Sequence, residues 1–191
     1  MVYPEQLPAG LVPAEHRYGD YFLDELRNIP GLIVHDPLSD FIQHKSEDLL
    51  YYRTDTHWNP RGALLAWRGL SKKLELPELS VVAEPAATEY TGDLIEISGL
   101  KDFPLHEDDT VKLRWSQSQQ WIVKPPPVAL MKTRFEQSFV DNMHSLTDKY
   151  VWVIGDSFTA GVQPFINASF RQSYYVNHWD KTLSNGVLAE M

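Results

Sequence analysis

One stretch, Tyr150 to Gly161 (YVWVIGDSFTAG), constrains this chain more than any other. Its β-branched residues Val151, Val153 and Ile154 predict a short buried strand that ends at Gly155. The polar residues that follow predict a tight turn, and the residues after them are compatible with a helix. A strand, a turn and a helix in this order indicate an α/β domain, which we expect to have three layers and a mainly parallel sheet.

Ser157 lies on this predicted turn. A serine between a strand and a helix stands clear of the sheet, and the backbone N–H groups of the helix start point at the same place. The position therefore suits a nucleophile beside oxyanion donors. Gly155 permits a close backbone approach or a positive φ, and Asp156 can accept hydrogen bonds from the turn. Gly, Asp and Ser are also ordinary turn residues, so the tripeptide alone does not separate catalysis from a structural turn.

A serine hydroxyl needs a base, and Thr54 to Trp58 (TDTHW) offers one. Residues two apart in an extended segment face the same way, so Asp55 can reach Nδ1 of His57 and leave Nε2 free for Ser157. A metal at Asp55 and His57 would need a further ligand, and no HExxH-like pattern supplies it. We therefore expect a Ser-His-Asp triad and neither a metal nor a cofactor.

His178 is the rival base, because Asp180 lies two residues beyond it. Only about one strand of sequence separates His178 from the predicted turn that carries Ser157. This distance places His178 at the exit of a neighbouring strand rather than in a triad, so we favour His57.

The segments Arg53 to Gly62 (RTDTHWNPRG) and Gly155 to Phe158 (GDSF) together resemble the SGNH-hydrolase-like O-acetyltransferases related to the alginate acetylation proteins. Ordinary SGNH hydrolases carry the Asp and His after the serine, whereas here the pair comes first, as in the alginate acetyltransferase branch. Tyr90 to Leu94 (YTGDL) and Ser98 to Leu100 (SGL) are similar to the middle segment of that branch. The resemblance thus runs through most of the chain.

The resemblance implies an SGNH-like (flavodoxin-like) fold and acyl transfer by Ser157 as nucleophile, His57 as general base and Asp55 as the group that orients His57. It implies an O-acetyltransferase acting on hydroxyls of an exopolysaccharide or cell-wall glycan. The partners implied are a polysaccharide acceptor and an acetyl donor delivered by a membrane-bound O-acyltransferase, in the periplasm or cell envelope. A carbohydrate esterase with the same triad and a non-catalytic glycan-binding or scaffold protein are the alternatives.

The composition excludes several classes of function. A net charge of −9 argues against nucleic-acid binding, which needs clustered Lys and Arg. It also argues against a strongly anionic glycan, unless Arg53, Arg61 and Arg68 gather at the site. The absence of cysteine removes disulfides, thiolate metal sites and a Cys nucleophile. No apolar run approaches the ~20 residues of a membrane span.

The length of 191 residues fits one α/β domain over residues 1–191, with residues 77–148 as an irregular region that decorates the sheet. The first residues, Met1 to Pro4, carry neither the basic nor the apolar region of a signal peptide, whereas proteins of the resembled family are exported. We therefore expect the chain to be a fragment, with an opening strand before Met1 and more sheet after Met191.

A helix after His57 is clearly marked, with Asn59 as N-cap, Pro60 at the first position and an apolar stripe beyond. It would anchor the loop that carries Asp55 and His57. Trp58 can stack on a sugar ring, although an aromatic beside a helix start is more often a packing wedge. Arg61 projects from the first turn and could meet a substrate oxygen, the alternative being a solvated surface charge.

Apolar runs elsewhere predict further strands. Leu32 to Val34 indicates a buried parallel strand, and Ser173 to Val176 another. We expect one of these two at a sheet edge that is unusually hydrophobic, which would make the chain prone to associate. Val111 to Trp115 and Trp121 to Val123 could form a hairpin.

Overall fold

The computed structural model describes residues 1–86, 90–99, 110–124 and 138–177. These ranges hold five α-helices, six strands and a single 3₁₀ turn at Pro4–Gln6. The helices are α1 (Tyr18–Arg27), α2 (Leu38–His44), α3 (Pro60–Lys73), α4 (Asp93–Ser98) and α5 (Thr159–Ser169). The strands are β1 (Val81–Pro85), β2 (Val111–Trp115), β3 (Ile122–Lys124), β4 (Ser138–Asp141), β5 (Thr147–Gly155) and β6 (Phe170–Asn177). None of the helices in these ranges combines the length and apolar character needed to cross a membrane.

Helix α3 begins where the sequence predicts. The Asn59 side chain accepts hydrogen bonds from the backbone N–H groups of Arg61 and Gly62, which would otherwise lack partners at the helix start. Its amide nitrogen donates to the carbonyl of Leu49 at 2.7 Å, and the side chain is almost fully buried. Asn59 therefore ties α3 to the segment before the His57 loop.

The main sheet has the order β3-β4-β6-β5. Strands β5 and β6 pair in parallel, whereas β3 with β4 and β4 with β6 pair antiparallel. Strands β1 and β2 form a separate antiparallel pair. Among the described residues, β5 with β6 is thus the one parallel pair of the main sheet, whereas a mainly parallel sheet is predicted. Parallel neighbours need a crossover, and α5 supplies one between β5 and β6.

The strand predicted at Leu32 to Val34 is wrong. These residues form no strand, and Leu32 and Ile33 are about half exposed. They follow Gly31, whose φ of +81° turns the chain after α1. An apolar run this short becomes a strand only where a partner strand lies beside it, and no described strand does so.

The predicted hairpin is also wrong in its pairing. Strand β2 does occupy Val111–Trp115, but it pairs with β1, and β3 pairs with β4. Residues 86–110 separate β1 from β2 and residues 125–137 separate β3 from β4, so neither pair is joined by a tight turn that the sequence would signal. Residues 77–148 contain β1, α4, β2, β3, β4 and the first two residues of β5 in their described parts.

The core lies between α3, α5 and one face of the main sheet. The Trp67 ring of α3 stacks on the fully buried Phe165 ring of α5, with centroids 6.4 Å apart. Val151 and Val153 of β5 pack against this cluster. This packing fixes the loop that carries His57, just before α3, relative to the turn that carries Ser157, just after β5.

The unusually hydrophobic edge belongs to β5 and not to either predicted strand. Strand β6 lies between β4 and β5, so Tyr174 and Val176 are buried. Strand β5 is at the edge of the described sheet and exposes Tyr150, Trp152 and Ile154 on the face away from the core. Alternation along β5 separates these three side chains from Val151 and Val153.

Candidate active site

The loop that carries His57 is closed at its base by backbone contacts. Tyr51 and Trp58 form an isolated antiparallel bridge, and the Tyr52 N–H donates to the His57 carbonyl at 3.3 Å. The Asn59 N–H donates to the carbonyl of Leu50 at 3.0 Å. His57 is therefore held on a tight loop that leads directly into α3.

Asp55 reaches His57 through a turn and not through the alternation of an extended strand. Its Oδ1 atom accepts the His57 backbone N–H at 2.8 Å and lies 2.5 Å from Nδ1 of the same residue. An Asp that bonds a backbone N–H two residues ahead is an Asx turn, a common local structure of this residue. The carboxylate is buried and only 8% exposed, so it is shielded from competing water.

Ser157 follows β5 at the predicted turn. A Cβ atom on Gly155 would lie 2.0 Å from the Thr159 hydroxyl oxygen, so a larger residue there would force the Thr159 side chain to turn. Asp156 holds the turn by accepting the Phe158 N–H at 2.9 Å. The Ser157 Oγ atom lies 2.7 Å from His57 Nε2, across 100 residues of sequence. The predicted contact between these two atoms is present, and the catalytic roles stay predictions.

Tyr90 and Asp93 complete the surroundings of Asp55, and sequence reasoning missed both. The Tyr90 hydroxyl donates to Asp55 Oδ2 at 2.6 Å, and the Asp93 backbone N–H donates to the same oxygen at 3.1 Å. The two residues lie in the YTGDL segment, which carried a family resemblance but no spacing that indicates a role. The segment docks on the His57 loop by long-range contacts that no local pattern reveals.

Gly92 is required at this junction. A Cβ atom on it would lie 2.1 Å from the Thr54 carbonyl oxygen, so any other residue would push the two segments apart. Its N–H donates to the Thr54 hydroxyl at 3.2 Å, and the Leu94 N–H donates to the Thr54 carbonyl at 3.0 Å. The close approach brings Tyr90 and Asp93 within reach of Asp55.

The ionisation of Asp55 is set by two opposing effects. Burial raises the pKa of the carboxyl, but hydrogen bonds from the Tyr90 hydroxyl, from His57 and from the Asp93 N–H lower it to about 2. Burial, followed by the bond to Asp55, raises the pKa of the Tyr90 hydroxyl above its ordinary value. Asp55 is thus a carboxylate and Tyr90 a protonated donor at neutral pH.

Asp93 offers a third candidate metal ligand, because one ligand atom from each of Asp55, His57 and Asp93 lies within 4.8 Å of the others. All four carboxylate oxygens already accept hydrogen bonds. Asp55 uses Oδ1 for His57 and Oδ2 for Tyr90 and Asp93, whereas Asp93 accepts the N–H of Thr56 at 2.9 Å and its hydroxyl at 2.6 Å. Each oxygen of Asp55 already accepts two hydrogen bonds, so a cation on this carboxylate would have to displace a donor, and the bonding pattern favours a triad over a metal centre.

The oxyanion donors expected at the helix start are largely used by the turn itself. The N–H groups of Thr159, Ala160 and Gly161 donate to backbone carbonyls of the three preceding turn residues. The N–H of Gly92, in the neighbouring YTGDL segment, is bonded to the Thr54 hydroxyl. The Ser157 N–H donates to no described residue, which leaves it available for a developing oxyanion.

A cleft of about 510 Å³ opens beside His57 and Ser157. Its apolar and aromatic walls include Tyr52, Trp58, Pro60, Tyr90, Leu113 and Pro164. Trp58 packs edge to face on Phe41 and on Phe158, with centroids 6.3 Å and 5.4 Å away. It is therefore a packing wedge that also presents a surface to the cleft.

Arg61 does not reach the cleft. Its Nε atom pairs with Asp48 at 2.9 Å, and its side chain is only 13% exposed. This placement supports neither prediction for Arg61, since its side chain neither lines the cleft nor stands free in solvent. Arg68 turns toward the Val81 carbonyl, so these two arginines do not gather at the triad. His178 and Asp180 lie outside the described residues, and their rival role stays a prediction.

Comparison with known proteins identifies the family of the chain. The family model of the SGNH hydrolase-like domain of the acetyltransferase AlgX matches residues 1–181. No protein of curated function matches the sequence.

Three similar solved structures share the fold at low sequence identity. A DHHW family protein from Eubacterium siraeum is 16% identical with a TM-score of 0.65, over 91% of this chain and 65% of that one. The O-acetyltransferase domain of Pseudomonas putida AlgJ is 19% identical with a TM-score of 0.53, over 92% and 59%. Bacillus cereus PatB1 is 12% identical with a TM-score of 0.59, over 92% and 70%. The chain therefore spans less than two thirds of the first two proteins. The family match and the shared fold together confirm the predicted SGNH-like α/β fold class.

Proposed function

Because the chain belongs to the family of SGNH hydrolase-like acetyltransferase domains represented by AlgX, we propose that it transfers acetyl groups onto carbohydrate hydroxyls through an acyl-serine. The observation that carries the proposal is the continuous hydrogen-bonded path from Asp55 through His57 to Ser157. Its two links measure 2.5 Å at Nδ1 and 2.7 Å at Nε2. These distances suit proton transfer in both directions.

In the first step, Ser157 Oγ attacks the acetyl carbonyl and its proton passes to His57 Nε2. Asp55 stays ionised, holds the tautomer with hydrogen on Nδ1 and stabilises the imidazolium. The Ser157 N–H donates to the carbonyl oxygen as negative charge develops there. When the donor's ester bond breaks, His57 returns the proton to the leaving oxygen and an acetyl-serine remains.

In the second step, an acceptor hydroxyl from the carbohydrate attacks the acetyl-serine. His57 Nε2 takes the proton of that hydroxyl, the bond from Ser157 Oγ to the acetyl carbon breaks, and Ser157 recovers its proton. Aromatic rings in the cleft suit the apolar faces of a sugar. Water as acceptor would make the same site an esterase.

The partners and location of the reaction are part of the proposal. We expect a polysaccharide acceptor and an acetyl donor presented by a membrane-bound O-acyltransferase, in the periplasm or cell envelope. The family resemblance supports this placement. The similar P. putida structure is an O-acetyltransferase domain, which supports the acetyl transfer and not the partners or the location. The third reading, a non-catalytic glycan-binding or scaffold protein, would leave the triad without a use.

Incubation with a chromogenic acetyl ester, with and without an oligosaccharide acceptor, tests the proposal. Acetylated oligosaccharide is the expected product, and release of acetate alone would indicate the esterase. Ser157→Ala should abolish both products, whereas Ser46→Ala, an exposed serine after α2, should change neither. No turnover in the wild-type chain, or turnover that survives in Ser157→Ala, would contradict the proposal.

A further inference from the structure

The two oxygens of Asp55 have separate partners. Oδ1 faces His57, whereas Oδ2 accepts the Tyr90 hydroxyl at 2.6 Å and the Asp93 N–H at 3.1 Å. A carboxylate bonded on both oxygens cannot rotate without breaking a bond. The orientation of Oδ1 toward His57 is thus set from the opposite side of the carboxylate.

We propose that Tyr90 is a positioning residue whose hydroxyl holds the Asp55 carboxylate in the orientation that His57 requires. The inference rests on the proposed function and adds a fourth side chain to its machinery. Tyr90 acts through Asp55 and does not itself touch the reacting atoms.

The Tyr90 ring is held firmly enough for this task. It stacks on the Tyr52 ring with centroids 4.2 Å apart and planes 16° from parallel. Tyr52 belongs to the base of the His57 loop, where its N–H bonds the His57 carbonyl. The loop thus positions the ring, and the ring in turn positions the carboxylate of the same loop.

The neutral Tyr90 phenol is a better hydrogen-bond donor to Asp55 at this position than a charged side chain would be. It stays protonated across the neutral range, because burial and the bond to Asp55 both oppose its ionisation. A Lys or Arg would add a net charge beside His57 and favour the carboxylate far more strongly. A neutral donor orients Asp55 and leaves the electrostatic balance between Asp55 and His57 intact.

Tyr90 also lines the cleft, so contact with substrate is the competing explanation. The two explanations differ in what Tyr90→Phe does, because this variant removes the hydroxyl and keeps the stacked ring. A positioning role predicts a kcat lower by about tenfold, the usual scale for one hydrogen bond to a charged group, with KM unchanged. A substrate contact predicts a higher KM.

A double-mutant cycle with Asp55→Asn provides the second readout. If the hydroxyl acts through the Asp55 carboxylate, Tyr90→Phe should cost far less in the Asp55→Asn background than in the wild type. Equal losses in both backgrounds would overturn the inference. Tyr175→Phe is the matched control, since it removes another buried phenol, bonded to Asn167, that does not line the cleft.

A readout that needs no turnover separates this inference from the proposed function. NMR titration of the isotope-labelled Asp55 carboxyl, assigned by its loss in Asp55→Asn, should show a higher pKa in Tyr90→Phe than in wild type or Tyr175→Phe. An unchanged Asp55 titration in a folded Tyr90→Phe protein would overturn the inference even if the enzyme is active. An inactive wild-type chain with the expected titration shift would contradict the proposed function and leave the Tyr90–Asp55 coupling established.

Discussion

Asp55 is the residue on which the hydrogen bonds of the site converge, since its two oxygens accept four of them. Three donors are fixed by backbone or stacked-ring contacts, so the carboxylate is preorganised before substrate binds. Preorganisation of this kind makes Asp55 more sensitive to substitution than an exposed carboxylate would be.

Asp55→Asn should keep the fold and lose turnover by about 10⁴-fold, because an amide in place of the carboxylate favours the wrong imidazole tautomer. Steady-state kcat on an acetyl ester measures the loss, and circular dichroism checks the fold. Unchanged turnover would move the role to another carboxylate, with Asp180 beside His178 examined first.

The stability of the protein should depend on Asp55 at acidic pH. The folded-state pKa of this carboxyl is lowered to about 2 from an ordinary 3.8, so its contribution is full above the ordinary value and is lost as pH falls through about 2. The contribution is about 2 kcal/mol, at roughly 1.4 kcal/mol for each pKa unit. Urea unfolding of wild type and Asp55→Asn should therefore give free energies of unfolding that converge between about pH 4 and pH 2. Parallel curves over that range would show that Asp55 is not stabilised as described.

At the scale of elements, the site is a junction of three segments: the loop before α3, the turn between β5 and α5, and the segment that enters α4. The first two are joined by the Trp67 and Phe165 contact of α3 with α5. The third docks on the first through the hydrogen bonds of Tyr90 and Asp93 with the His57 loop and through the close backbone approach of Gly92 to Thr54. That approach leaves no room for a side chain at Gly92, so substitution there should disturb the junction.

Gly92→Ala should lower both the melting temperature and kcat, because its Cβ would overlap the Thr54 carbonyl and displace Tyr90 and Asp93 from Asp55. Thermal unfolding and ester hydrolysis measure the two effects. Gly19→Ala is the matched control, since no atom lies within 4 Å of a Cβ there and the residue is inside α1. That substitution should be neutral or stabilising by up to about 1 kcal/mol. Equal melting temperatures and kcat values for the two variants would contradict the junction described.

At the scale of the whole molecule, the parts predictable from the sequence are those with local causes. The Asn59 and Pro60 helix start and the β5 turn with Ser157 depend on neighbours within a few residues, and both were predicted. The Tyr90 contact depends on a docking across 35 residues that leaves no periodic signal. The strand predicted at Leu32 to Val34 is wrong for the same reason, since a strand forms only beside a partner strand that is distant in the sequence.

The exposed apolar face of β5 predicts self-association of the chain. Tyr150, Trp152 and Ile154 lie on one face of a strand at the edge of the described sheet, where their apolar surface is open to a second copy. Sedimentation velocity should show a concentration-dependent dimer or larger species, reduced by Tyr150→Lys. Tyr18→Lys, at an even more exposed tyrosine on α1, is the control. A monodisperse monomer at every concentration would refute this prediction.

The central claim is that Ser157 carries the acetyl group between donor and acceptor. Rapid quenching after addition of an acetyl ester, followed by intact mass spectrometry and peptide mapping, tests it most directly. We expect the added mass of one acetyl group on the peptide that holds Ser157, absent in Ser157→Ala, present in Ser46→Ala and discharged by an oligosaccharide acceptor. An acetyl group that never appears on Ser157 during turnover, or that appears equally in Ser157→Ala, would contradict it.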